Sequence, residues 1–199
     1  VITVCGEIDF GEGFLTEGRW SVYAQTSDTR QFSDEQRVPG PSRTRDNTFD
    51  TAVWGLSGQL IGEATTGSVE HNFLLGVDHS VTETDNLRDG TVAPFGETFP
   101  NRASPVTDYT LTGVFLQDEI SLMDGALRFY PGLRFDAYEL DPKRDAFYPA
   151  NFPAETSDGD QVSPKLGVVA WPTDQFGLFA NYAEGFKAPT PSQVNSAFG

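Results

Sequence analysis

Apolar residues recur at every second position through several stretches of this chain, the pattern of strands with two unlike faces. In TAVWGLSGQL, Ala52, Trp54, Leu56 and Leu60 share one face, with Ser57 and Gln59 opposite. In HNFLLGVDHSV, Phe73, Leu75, Val77 and Val81 face one way, and Asn72, Asp78 and Ser80 the other. In ALRFYPGLRFDAY, Leu127, Phe129, Leu133, Phe135 and Ala137 alternate with Arg128, Arg134 and Asp136. Near the end, Phe176, Leu178, Ala180 and Tyr182 alternate with Gly177 and Asn181, whereas TLTGVFLQDEI leaves its faces unassigned. The pattern predicts about seven strands, near 18–30, 48–64, 68–84, 107–122, 126–140, 161–172 and 175–185, and no helix. The fold class is all-β. Pro131 inside a strong strand pattern, with Gly132 beside it, predicts a β-bulge.

The connections carry more information than the strands. ATTGS, MDGA and PTDQ have the chemistry of tight turns between antiparallel neighbours, centred on Thr66–Gly67, Asp124–Gly125 and Thr173–Asp174. Between these hairpins lie long polar stretches at 31–47, 86–106 and 141–160. Strict alternation of short and long connections is the layout of an outer-membrane barrel, with short periplasmic turns and long external loops. A soluble β-domain also fits the alternating faces. A barrel lumen would accept Arg128, Arg134 and Asp136, which a dry core would not accept unpaired. The opposing large apolar groups then form a band suited to lipid.

Composition narrows the partners. The chain has 29 Asp plus Glu against 13 Lys plus Arg, a net charge of −16, and such a field disfavours nucleic acid. Its one cysteine, Cys5, excludes an internal disulfide and a cysteine-ligated zinc site. The opening VITVCGEIDF has neither the basic start nor the apolar stretch of a signal peptide, so one has been processed off or the true N-terminus lies upstream. The longest apolar run, Val168-Val169-Ala170-Trp171, is far below what a spanning helix needs, which says nothing against a barrel.

The stretch VSPKLGVVAWPTDQFGLFANYAEGFKAP, Val162 to Pro189, resembles a late barrel segment of TonB-dependent outer-membrane receptors. In that family a Ser-Pro-Lys-x-Gly strand and a Pro-Thr-Asp turn precede a strand ending Tyr-x-x-Gly-Phe-Arg-Ala-Pro. Lys187 stands where arginine is usual, keeping the charge but not the planar fork. The continuation TPSQVNSAF, Thr190 to Phe198, resembles the branch that takes haem from haemoglobin and related proteins. So do WSVYAQTSDTRQFSDEQR, LLGVDHSVTETDNLRDG and TLTGVFLQDEISLMDGALRFYPGLRFDAYELDP. The resemblance implies a parent 22-stranded barrel with an N-terminal plug, of which residues 1–199 are a part lacking the plug. It implies residence in the Gram-negative outer membrane among its lipid, and active transport coupled to the TonB complex through the missing plug region. Haem or a haemoprotein is the expected ligand, as transported cargo and not a covalently bound cofactor; a ferric-siderophore receptor is the alternative. The ligand-loop motif is Gly185, Phe186, Lys187, Ala188 and Pro189, with Asn195 further along the same loop.

Other candidates are weaker. His71 lies close to a short turn and His79 shares the apolar face of its strand, so neither is assigned as a haem ligand. Paired carboxylates such as Asp118-Glu119 and Asp158/Asp160 lack a convergent base or nucleophile, so no enzyme is expected. The acidic stretch 139–160 lacks the spaced oxygen ligands of a calcium loop, and no metal site is assigned.

Overall fold

The computed structural model describes residues 1–197; Phe198, the last residue of the haem-branch stretch, lies outside them. Eight antiparallel strands form one meander in chain order: β1 (Ile2–Asp9), β2 (Leu15–Glu35), β3 (Arg43–Thr66), β4 (Val69–Gly90), β5 (Val106–Leu122), β6 (Leu127–Lys143), β7 (Ser157–Thr173) and β8 (Phe176–Ala183). One helical turn, α1 (Pro191–Val194), follows. The predicted strands are all present, and β1 is additional. It is short, and Gly6 interrupts its apolar face because the Trp20 indole lies over that position.

The three expected hairpins form. Thr66 pairs with Val69 around Gly67, whose φ of 66° is the positive value a tight hairpin turn requires. Between β5 and β6 the Gly125 N–H donates to the Leu122 carbonyl at 3.1 Å, with Met123 and Asp124 both at positive φ. Between β7 and β8, Thr173 pairs with Phe176 after a register shift. These turns lie at one end of the sheet, and the connections 36–42, 91–105 and 144–156 lie at the other.

Two expectations are corrected. The connection predicted at 31–47 shrinks to 36–42, because Thr29 to Glu35 and Arg43 to Phe49 continue the ladder with polar residues on both faces. The bulge predicted at Pro131–Gly132 is absent. Pairing with β5 lapses at Tyr130 and Pro131 and resumes in the same register, while Pro131 stays paired with Leu166 of β7. The missing N–H therefore costs a gap in one ladder and inserts no residue.

Register sorts the side chains into two faces. One row across the sheet reads Trp20, Gly58, Val77, Val114, Phe135, Val162; the adjacent row, on the opposite face, reads Ser21, Ser57, Asp78, Gly113, Asp136, Gln161. The apolar row belongs to a band that spans all eight strands, from Val4 to Tyr182, and its members stay half exposed: Trp54 49%, Leu133 53%, Leu178 55%. Among the described residues such a band has no protein to pack against, and it matches the lipid-facing surface of a barrel wall. β3 is 24 residues long, far more than the roughly 9–11 that cross a bilayer. The strands thus project beyond the apolar band at the end that carries the long connections. Among the described residues the buried apolar side chains include Leu140, Pro105, Tyr148 and Ala197, all at that same end. The tight packing lies where the outer connections meet, not in the sheet.

Candidate functional site

The polar face carries a cavity of about 770 Å3 lined by Tyr23, Tyr109, Phe115, Arg134, Ser163 and Phe186, among others. Its charges are paired across strands. The Arg134 guanidinium donates to Asp136 on its own strand at 2.8 Å and to Asp78 on β4 at 3.1 Å. To reach Asp78 it crosses β5 directly over Gly113, where a Cβ would run into both partners. Beside it the Phe115 ring covers Gly76, and the Arg134 guanidinium lies 5.7 Å from that ring. Glycine on one strand thus makes room for a large side chain from the next, which is how Phe115 comes to sit on the otherwise polar face. Lys165 donates to Gln117 across β6, in the space left by Gly132. The face is a polar wall whose central charges are paired, not a hydrophobic core.

Above the cavity the outer connections form a cap. Arg102 from the 91–105 connection has a side chain only 9% exposed. It donates to Asp145 of the 144–156 connection at 2.6 Å, to the Asn86 carbonyl at 2.9 Å and to Asp85 on β4. The Arg102 N–H also donates to the Phe147 carbonyl at 3.0 Å. Asn86 accepts from the Ala103 N–H and donates to Ser104 Oγ, holding the base of the same connection. Burial opposes the charge of Asp145, but the Arg102 hydrogen bond and the N–H groups of Phe147 and Tyr148 outweigh it and hold this carboxyl below its ordinary range. Burial likewise opposes the Arg102 charge, and its hydrogen bonds to Asp85 and Asp145 reverse the balance and raise it.

The segment after β8 joins the cavity to the cap. Gly185, Phe186 and Ala188 line the cavity, and the Phe186 ring lies 6.1 Å from that of Tyr138. Lys187 is exposed and makes no ion pair among the described residues, and Pro189 is half-buried. The chain then makes α1, with the Thr190 N–H donating to Gln193 Oε1 at 2.9 Å and Pro191 at its first turn. Asn195 is fully buried. Its amide accepts from the Glu155 N–H at 2.9 Å and donates to the Glu155 carbonyl at 2.8 Å. The Ala197 N–H donates to the Ala103 carbonyl at 2.8 Å. The structure therefore brings the Gly185–Pro189 motif to the cavity but uses Asn195 as an anchor in the cap. Arg102 and Asp145 carry no periodic or motif signal, and sequence reasoning missed them.

Both histidines lie on the apolar face. His71 bonds Asp118 at 2.8 Å and stacks on Phe73, and His79 bonds Thr112 at 2.9 Å beside Trp54. Among the described residues no group of three or more histidine, cysteine or acidic side chains could hold a metal ion. No helix there is long and apolar enough to cross a membrane.

Comparison with known proteins agrees with this geometry. The family model described as TonB dependent receptor-like, beta-barrel matches residues 7–199. The metal-pseudopaline receptor of Pseudomonas aeruginosa is 26% identical over 166 residues, which cover 73% of this chain and 22% of that receptor. The hemin receptor of Yersinia enterocolitica is 32% identical over 111 residues, covering 54% of this chain and 15% of that receptor. This chain thus spans about a fifth or less of the length of the curated relatives it matches. In fold it is similar to the ferric preacinetobactin receptor of Acinetobacter baumannii, with a TM-score of 0.66, 16% identity, and coverage of 90% of this chain and 29% of the other. It is also similar to the unliganded ferric citrate transporter, with a TM-score of 0.57, 18% identity, and coverage of 82% and 24%. The chain belongs to the TonB-dependent receptor-like β-barrel family, as a segment of barrel wall in the Gram-negative outer membrane.

Proposed function

We propose that this chain is the wall and outer-mouth segment of a receptor that imports an iron chelate, and that the chelate is haem drawn from haemoglobin or related haemoproteins. The observation that carries this reading is the seat of Phe186. The motif places an aromatic ring over a cavity whose wall already holds Tyr23, Tyr109 and Phe115, a surface suited to a flat conjugated ligand. Lys187, exposed beside it, supplies a cation for an anionic ligand group such as a propionate. The similarity to a hemin receptor supports the same reading. Energy would come through the TonB complex, contacted by parts of the receptor outside this chain.

A second reading, uptake of a ferric siderophore or another metal chelate, is favoured by the longer match to a metal-pseudopaline receptor. Haem-limited growth of a strain dependent on the full-length receptor separates the two. The comparison is between the intact receptor and a deletion of Thr190 to Phe198 that still reaches the outer membrane. Loss of growth on haemoglobin is expected; undiminished growth on haemoglobin, or loss only on a ferric siderophore, contradicts the haem assignment.

A further inference from the structure

We infer that Asn195 is a positioning residue: it splices the segment after β8 to the outer cap and thereby holds Phe186 and Lys187 at the mouth of the cavity. The inference rests on the reading of that segment as ligand-facing, and its geometry is independent of which chelate is carried.

Between Ala183 and Ala197 the segment belongs to no strand, and α1 is a single turn too short to be stable alone. Its hold on the molecule is at its two ends. At one end the Glu184 N–H bonds the Pro164 carbonyl at 3.0 Å, and Phe186 lies against Tyr138. At the other end the Asn195 amide imitates a strand partner, taking both the N–H and the carbonyl of Glu155, a residue 40 positions away. Two residues on, Ala197 repeats the docking against Ala103 of a second connection. Pro189 and Pro191 stiffen the path between the ends. A stiff segment fixed at both ends cannot let its middle wander, whereas loss of the Asn195 bonds weakens the hold on its outer end. The connections reached by Asn195 and Ala197 are themselves joined through Arg102 and Asp145. Three external connections of the chain, 91–105, 144–156 and the segment after β8, therefore share one clasp, and Asn195 closes it.

Both Asn195 bonds go to the main chain of Glu155, so the glutamate side chain is not needed. That separates the clasp from a generic loop contact. In the full-length receptor in outer-membrane vesicles, with Cys5→Ser as background, reporter cysteines are placed one at a time at Ala197, Ala188 and exposed Ser192. Labelling by a membrane-impermeant maleimide is followed without any ligand, so the outcome does not depend on the haem assignment. Ala197→Cys and Ala188→Cys should label more slowly than Ser192→Cys. Adding Asn195→Ala should speed both by about tenfold, the effect of losing two buried hydrogen bonds. Adding Glu155→Ala should speed neither. Rapid labelling of Ala197→Cys with Asn195 intact would overturn the inference. So would an Asn195→Ala effect confined to position 197, which is local fraying, or an equal effect of Glu155→Ala.

Discussion

Replacing Arg102 by Met keeps most of the apolar stem and removes every donor of the cap's central cation. The side chain is 9% exposed, and its carboxylate partners Asp145 and Asp85 are 32% and 37% exposed. Breaking a fully buried charged pair costs about 3–5 kcal/mol. Water can reach both acids here, so the loss falls at the lower edge, about 3 kcal/mol, or roughly a hundredfold in the equilibrium for opening the cap. The barrel ladder should survive, because local and global opening are separate events. Trypsin cleavage after Arg144, in the connection tied down by Arg102, reads local opening directly. Arg102→Met should accelerate that cut by about a hundredfold, with the folded barrel still present. Arg30→Met is the control: Arg30 pairs with Asp46 in the open, at 67% exposure, so its loss should change cleavage by no more than a few-fold. An Arg102→Met effect no larger than that of Arg30→Met would refute the assignment of Arg102 as the keystone.

Three other outcomes follow from the same geometry. Asp145 is held below its ordinary value in the folded cap, so its contribution is fully present above the unfolded carboxylate pKa near about 4 and is lost as pH falls through the lower folded value. Hydrogen exchange at the Phe147 and Tyr148 amides, which donate to Asp145, should, after correction for intrinsic rates, stay flat from neutral pH down to about 5 and rise only below about 4; a rise already near neutrality would implicate another group. Gly113→Val should drive Arg134 and Asp78 apart, since a Cβ there collides with both; the overpacking costs about 1–3 kcal/mol and should lower the yield of heat-modifiable barrel, whereas an unchanged yield would contradict the close approach. Phe135→Asp should impair membrane assembly more than Asp136→Ala, because the first sets a charge against lipid and the second removes one from the wetted wall; equal tolerance would count against a lipid-facing band.

How far the sequence could be read followed from which residues had to choose a side. Where one face meets lipid and the other water, as from Leu127 to Ala137, alternation gave the strand and both faces. Where both faces meet water, as at Gln31–Glu35 and Arg43–Asn47, no alternation exists and the pattern reads as loop, although a ladder runs through them. In β5 the signal was blurred for a different reason: Leu111 and Phe115 sit on the polar face, with Phe115 covering Gly76, a fit that appears only once strands are paired. Tight turns were legible because Gly and Asp are needed at fixed positions in the turn. The motif Gly185–Pro189 came through a family resemblance alone; Gly185, Phe186 and Ala188 of it line the cavity. Asn195 and Arg102 were not legible in their present roles. Their partners lie 40 and 43 positions away, and nothing in one stretch of sequence announces a contact made by two connections.

The sheet has one division: a face toward lipid and a face toward an aqueous lumen. Spin labels placed one at a time from Leu133 to Tyr138 of the full-length receptor in a bilayer measure it directly, through relaxation by oxygen, which concentrates in lipid, and by a polar nickel chelate, which stays in water. Positions 133, 135 and 137 should be relaxed by oxygen, and 134, 136 and 138 by the chelate or, where packed, by neither. Two reagents that give the same profile at all six positions, or a pattern inverted between the two sets, would contradict it.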